Sequence, residues 1–86
     1  MLSPRLNSII DKIPNNTIVA DIGSDHGYLP IALVKNGYPR PIATEHLLGP
    51  YQQCLKSINT YNYDVDVRFG DGLAPIAPYE VDLVVI

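Results

Sequence analysis

The sequence predicts an α/β fold, a parallel sheet with flanking helices, and three observations carry that prediction. Short apolar segments alternate along the chain with stretches of helical periodicity, the pattern of strands joined by helical crossovers. These apolar segments lack a polar face, as parallel strands buried on both sides do. The chain is 86 residues long, which makes one domain the upper limit; chains of this size bury only about 60% of their unfolded surface.

Each element can be placed in order. Ser3 suits an N-cap and Pro4 the first helical position. Leu6, Ile9, Ile10 and Ile13 then form one apolar stripe at helical spacing, and Pro14 with Asn15-Asn16 ends the helix. Residues 17–22 read as a buried strand carrying one acid, Asp21. A loop from Gly23 to Gly27 leads to a helix over 29–35, which tolerates Pro30 in its first turn and closes at Asn36-Gly37 with a left-handed cap. Residues 41–45 form a second strand. Gly49-Pro50 opens a helix running to about Asn59, with Cys54, Leu55 and Ile58 facing inward. Residues 65–69 alternate as a third strand, Gly70-Asp71-Gly72 is a turn, and 81–86 is a fourth strand. Right-handed crossovers would place these strands in one sheet.

Composition narrows the function classes. Hydrophobic residues make up 47% of the chain, which excludes a disordered tail. No apolar run approaches the roughly 20 residues of a membrane span. Residues 1–12 show no cleavable signal, so the expected location is cytoplasmic, with no membrane partner. The one cysteine, Cys54, permits neither an internal disulfide nor a cysteine metal cluster, and no metal is expected. The net charge of −3 does not suit a free-standing nucleic-acid binder.

The loop after the first strand carries the chemistry. A loop leaving the C-terminal end of a central parallel strand lies where ligands bind in such sheets. Its glycines let the backbone approach a ligand, and the following helix offers free N–H groups. The dinucleotide pattern G-x-G-x-x-G fails, because Asp25 and Tyr28 stand where two glycines are needed. The pattern of an acid, then G-x-G-x-G, used by class I methyltransferases, fits Asp21, Gly23 and Gly27. Asp25 replaces the middle glycine and tolerates positive φ. Glu45 ends the second strand, where a carboxylate can accept both ribose hydroxyls. Asp71 follows the third, where it can accept an adenine amine. Three acids at three consecutive strand ends suit a cofactor with a sulfonium and an amino group. The plainer alternative is that Asp21 caps the next helix, Glu45 is solvated and 70–72 is only a turn.

The stretch Val19-Ala-Asp-Ile-Gly-Ser-Asp-His-Gly-Tyr-Leu-Pro30 resembles the first motif of the bacterial tRNA (adenine-N1)-methyltransferases that modify adenine 22, the TrmK family. Leu2-Ser-Pro-Arg-Leu6 is similar to the family's opening. Ile42-Ala-Thr-Glu45 with Gly49-Pro-Tyr-Gln52 resembles its second strand and next helix. Val65-Asp-Val-Arg-Phe-Gly-Asp-Gly-Leu73 resembles its third strand and turn. The resemblance implies a Rossmann-like class I methyltransferase fold, S-adenosyl-L-methionine as methyl donor and tRNA as substrate. It also implies a helical part after the cofactor domain. The chain stops inside its fourth strand, so only the N-terminal half of the domain is expected here. That piece alone is expected to be inactive, and its cut sheet to self-associate; a partner copy could instead supply the missing strands.

Roles carried over from the family fall on matching residues. Gly23, Ser24 and Gly27 would pass the methionine moiety, Asp21 would orient that loop, Glu45 would take the ribose, and Asp71 with Gly72 the adenine. Asp25 would lie nearest the methyl group as the catalytic residue, accepting a hydrogen bond from the target base; helix N-capping is its alternative. Arg5 would reach the cofactor carboxylate or simply be a solvated arginine, and His46 and Leu47 would flank the adenine. His26 would touch the carboxylate or stack near the base, or be a polar loop residue. Tyr28 and Leu29 would pack the helix on the sheet, and Cys54 would be core. Two rival functions remain open: a methyltransferase of the same fold acting on protein or small molecules, and a non-catalytic binding module.

Overall fold

The computed structural model describes residues 4–86; the Ser3 cap and the Leu2 end of the opening motif lie outside them. The elements are α1 (Pro4–Asp11), β1 (Val19–Ile22), α2 (Tyr28–Lys35), β2 (Ile42–Glu45), α3 (Leu48–Tyr61), β3 (Asp66–Phe69) and β4 (Leu83–Val85). All four strands are parallel, in the order β3-β2-β1-β4. The chain steps from β1 to β2 to β3 in one direction, then returns to the far side of β1. This reversal makes the gap between β1 and β4 the topological switch point.

Every predicted helix and strand is present, and the strands are shorter than predicted. The fourth begins at Leu83, because the N–H groups of Asp82 and Leu83 both donate to the Ile18 carbonyl and start the ladder there. Ile18 N–H in turn donates to the Asp82 carboxylate at 2.9 Å. The first helix stops at Asp11; Lys12 and Ile13 continue in a tighter turn that buries Ile13. Burial on both sides holds for β2 and the first half of β1 but not for β3 and β4, which are half-buried or exposed at the sheet's edges. The outer edge of β4 is unpaired among the described residues.

Register fixes which side chains share a face. Asp21 lies beside Ala43 and Val85, and Glu45 beside Phe69. Since side chains alternate along a strand, Val19, Asp21, Ala43 and Glu45 point to one face. Helices cover that face. Val19 packs with Leu29, Ala32 and Leu33 of α2, while Ala43 packs with Cys54 and Ile58 of α3. Cys54 is wholly buried, as expected, and burial pushes its thiol up to about 11. Leu55 is half-buried. Gly37, at φ +80°, supplies the left-handed turn after α2, and Tyr38 Oη donates to the Ile13 carbonyl at 2.7 Å, tying α1 to that turn.

Residues 70–82 return from β3 to β4 without regular structure. Arg68, on the sheet face opposite Ala43 and Glu45, grips this segment. Its Nη1 donates to the Pro75 carbonyl at 2.8 Å and to Glu80 Oε1 at 2.7 Å. Its Nε and Nη2 donate to Asp66, and Nη2 also to Glu80 Oε2.

Candidate functional site

The site is built on the turn that ends β1. The N–H groups of Gly23 and Ser24 both donate to the Thr44 carbonyl, at 2.9 and 3.1 Å, so the loop bends over the end of β2. Three of its residues have positive φ: Gly23 at 71°, Asp25 at 60° and Gly27 at 76°. Asp25 therefore adopts the conformation that the glycine pattern demands. Gly27 has a second constraint. A Cβ there would stand 3.3 Å from Cys54 Sγ and 3.5 Å from Ile58 Cδ1, so its missing side chain lets α3 close on the loop.

The acids are held from within the protein. Ser24 Oγ donates to Asp21 Oδ2 at 2.8 Å. Glu45, only 5% exposed, accepts the Asp25 N–H on Oε2 at 3.1 Å. These contacts overturn the plainer alternative for both residues: Glu45 is not solvated, and Asp21 bonds the loop rather than capping a helix. Gly27 occupies the N-cap of α2, which has no side-chain cap, so the capping role for Asp25 also fails. Burial pushes the Asp21 carboxyl up to about 6; the Ser24 hydroxyl opposes this and the Glu45 charge adds to it. Two carboxylates held this way form a site for positive charge.

Farther along the rim, Gly70 N–H donates to the Glu45 carbonyl at 2.9 Å, so Asp71 and Gly72 follow directly beyond the end of β2. Asp71 is exposed, and Gly72 has φ of 54°. His46 and Leu47 are exposed beside Glu45. Phe69, half-exposed, meets Tyr51 edge-on at 5.3 Å. The C-terminal ends of β1, β2 and β3 thus carry Asp21, Glu45 and Asp71 in sheet order.

A cleft of about 450 Å³ opens at the switch point. Of the predicted residues, Arg5, Asp21, Gly23 and Ser24 line it. Asp25, Gly27, Glu45, His46, Asp71 and Gly72 do not; they follow the rim toward β3. Sequence reasoning missed the rest of the wall, chiefly Leu6 and Ile9 of α1 and Val85 and Ile86 at the end of β4. The missed signal was topological. Once β4 pairs with β1, its last residues must face the loop. Tyr28 is a correction: 63% exposed, it packs on the cleft mouth and not on the sheet, while Leu29 is buried as expected. Its ring stacks on His26 at 5.4 Å, and His26 Nε2 lies 3.9 Å from the Asp25 carboxylate, both side chains being well exposed. Among the described residues no acid, histidine or cysteine cluster could hold a metal.

Residues 2–86 match the profile of the methyltransferase domain family. The chain belongs to that family. The methyltransferase domain is 39% identical over 88 residues to the tRNA (adenine(22)-N(1))-methyltransferase of Bacillus subtilis, covering 99% of this chain and 37% of that protein. It superposes on TrmK of M. capricolum, solved with S-adenosyl-homocysteine, with a TM-score of 0.85 at 34% identity, over 98% of this chain and 40% of the other. A Streptococcus pneumoniae protein solved with S-adenosyl-L-methionine gives a TM-score of 0.87 at 35% identity, over 98% and 41%. The chain thus spans about 40% of the length of these relatives. Their likeness extends the Rossmann-like reading of the sheet to the whole described chain.

Proposed function

We propose that these residues are the N-terminal, cofactor-binding part of an S-adenosyl-L-methionine-dependent methyltransferase that methylates N1 of adenine 22 in tRNA. One observation carries the reading: Asp21, Glu45 and Asp71 stand at three adjacent strand ends beside a cleft at the switch point. The names of the Bacillus subtilis and M. capricolum relatives, and the cofactor product in the latter, support the substrate and the donor. The share of those relatives covered supports a piece of a longer protein.

The residues present fit the cofactor. Gly23 keeps the loop backbone bare on its approach to the methionine end, Gly27 lets the loop turn against α3 so that it can pass that moiety, and Asp21 with Glu45 supplies negative charge for an ammonium and a sulfonium. Glu45 has Oε1 left for a ribose hydroxyl, since the Asp25 N–H takes Oε2. Asp71 accepts the adenine amine, with Gly72, His46 and Leu47 alongside. Arg5, on the cleft wall, meets the carboxylate. When bound, the cofactor supplies an electrophilic methyl group; the protein aligns the acceptor with it, since neutral adenine N1 is already nucleophilic. Asp25, on the crest of the loop, accepts a hydrogen bond from the amine of the target base and stabilises the positive charge that grows on it. The exposed His26–Tyr28 stack offers a face to a base turned out of its helix, an extrusion that costs a few kcal/mol. Such an enzyme works in the cytoplasm, where tRNA is modified. Among the described residues no helix is long and apolar enough to cross a membrane. The open β4 edge favours self-association of this piece.

Titration calorimetry with S-adenosyl-homocysteine tests the reading. Binding is expected, with a loss of about tenfold or more in Glu45→Gln, on the scale of one charged hydrogen bond. No binding by the full-length protein, or an unchanged affinity in Glu45→Gln, overturns it. A tRNA carrying adenine at position 22 should accept methyl groups from the full-length protein, and the same tRNA with guanine there should not.

A further inference from the structure

We infer that Arg68 is a positioning residue for the adenine end of the cofactor site: it fixes the 70–80 segment, and through it Asp71. The inference rests on the cofactor reading above. Asp71 opens a return to β4 that has no helix or strand to stiffen it. At its start the segment is tied by the Gly70 N–H to the Glu45 carbonyl, and at its end by the Asp82 N–H to the Ile18 carbonyl. Between these ties the backbone bonds only within itself, Ala74 to Asp71, Ile76 to Leu73 and Glu80 to Ala77. Such short turns can move as units.

Arg68 supplies the missing tie. A guanidinium has five N–H groups in a fixed fork, and here all five have an acceptor. Nη1 donates to the Pro75 carbonyl and Glu80 Oε1, Nη2 to Glu80 Oε2 and Asp66 Oδ2, and Nε to Asp66 Oδ2. Glu80 is also bonded by the Ala77 N–H at 2.9 Å. Asp66 and Arg68 both sit on β3, so the Asp66 pair holds the guanidinium on the strand and the Glu80 pair joins it to the segment. The bidentate Arg68–Glu80 pair is geometrically specific, as lysine cannot be. Pro75, whose carbonyl Arg68 holds, presses its ring on Gly70: a Cβ there would stand 3.0 Å from the ring. The guanidinium thus clamps Pro75 over the residue that precedes Asp71, and only about a quarter of the Arg68 side chain is exposed.

The test compares Arg68→Lys, Glu80→Gln, Asp71→Asn and the double variant Arg68→Lys/Asp71→Asn in the full-length protein. Hydrogen exchange is read first and needs no cofactor. Amides of 71–77 should exchange at least tenfold faster in Arg68→Lys, with those of β1 and β2 unchanged. Glu80→Gln, which keeps the shape and the Ala77 bond, should give a smaller change of the same kind. Affinity for S-adenosyl-homocysteine should fall in Arg68→Lys and in Asp71→Asn, and the double variant should lose no more than about twofold beyond Asp71→Asn alone. Unchanged exchange at 71–77, or losses that multiply in the double variant, overturn the positioning role. No binding by the wild-type protein overturns the cofactor reading instead, and exchange alone then decides the clamp.

Discussion

Asp21 shows how one side chain ties stability to ligand charge. Burial and the neighbouring Glu45 charge penalise its ionised form and push the carboxyl up from the ordinary 3.8 to about 6, against the Ser24 hydrogen bond. The folded state therefore holds this proton more tightly than the unfolded state. The stabilisation is complete at low pH and is lost as pH rises through about 6. Asp21→Asn should raise the melting temperature at pH about 7.5 and leave it nearly unchanged at about 3, below the unfolded value of 3.8; equal shifts at both values would contradict this. A cationic ligand reverses the balance by favouring the ionised carboxylate. Wild-type affinity for S-adenosyl-L-methionine should therefore rise from pH about 5 to about 7, with proton release visible as buffer-dependent binding enthalpy, and Asp21→Asn should lose both effects.

Glycine gives the clearest prediction for the elements. Gly27 joins the glycine loop to α2, has φ of 76°, and faces Cys54 and Ile58 of α3. Gly27→Ala combines a left-handed alanine, about 1–2 kcal/mol, with a tight contact on a buried sulfur. Chemical denaturation should show a loss of about 2 kcal/mol or more, with an unchanged m-value. A loss below about 0.5 kcal/mol would mean that α3 yields easily. Gly37→Ala, with φ of 80° but nothing within 4 Å of its missing Cβ, should cost only the conformational part, about 1–2 kcal/mol.

These elements also show how much could be read from the sequence. Apolar runs, Pro14, Asn36-Gly37 and Gly49-Pro50 placed every helix and strand, because each is a local signal. The sheet-order acids were legible from spacing, since parallel strands end on one side. The features that escaped depend on contacts distant in the chain. The Asp25 N–H finds Glu45 across 20 positions, and Arg68 finds Glu80 across 12; neither pairing leaves a periodic trace. Tyr28 was misplaced because helical spacing says which residues share a face, not that the first turn of α2 projects past the sheet. The edge strands looked fully buried for the same reason: an apolar run does not reveal its rank in the sheet.

For residues 1–86 as a whole, we propose that the β4 edge, unpaired among the described residues, drives self-association. Val84 and Ile86 are exposed beside open backbone groups, the arrangement that recruits another strand. Sedimentation of residues 1–86 should show concentration-dependent dimers or larger species, and Val84→Lys should shift them toward monomer. A monomer at every concentration would refute the role of this edge.

The reversal of strand order also sets a timetable. One wall of the cleft comes from residues 21–24 and another from Val85 and Ile86, and Val19 pairs with Leu83 across 64 positions. Contacts this distant form slowly, because a long loop must close before they reward it. A nascent chain emerging at about 5–20 residues per second therefore exposes the glycine loop for several seconds before its opposite wall exists. During that interval a ligand of this cleft has only half a pocket and cannot help the domain fold, so ligand rescue of a destabilised variant should act only after β4 has left the ribosome.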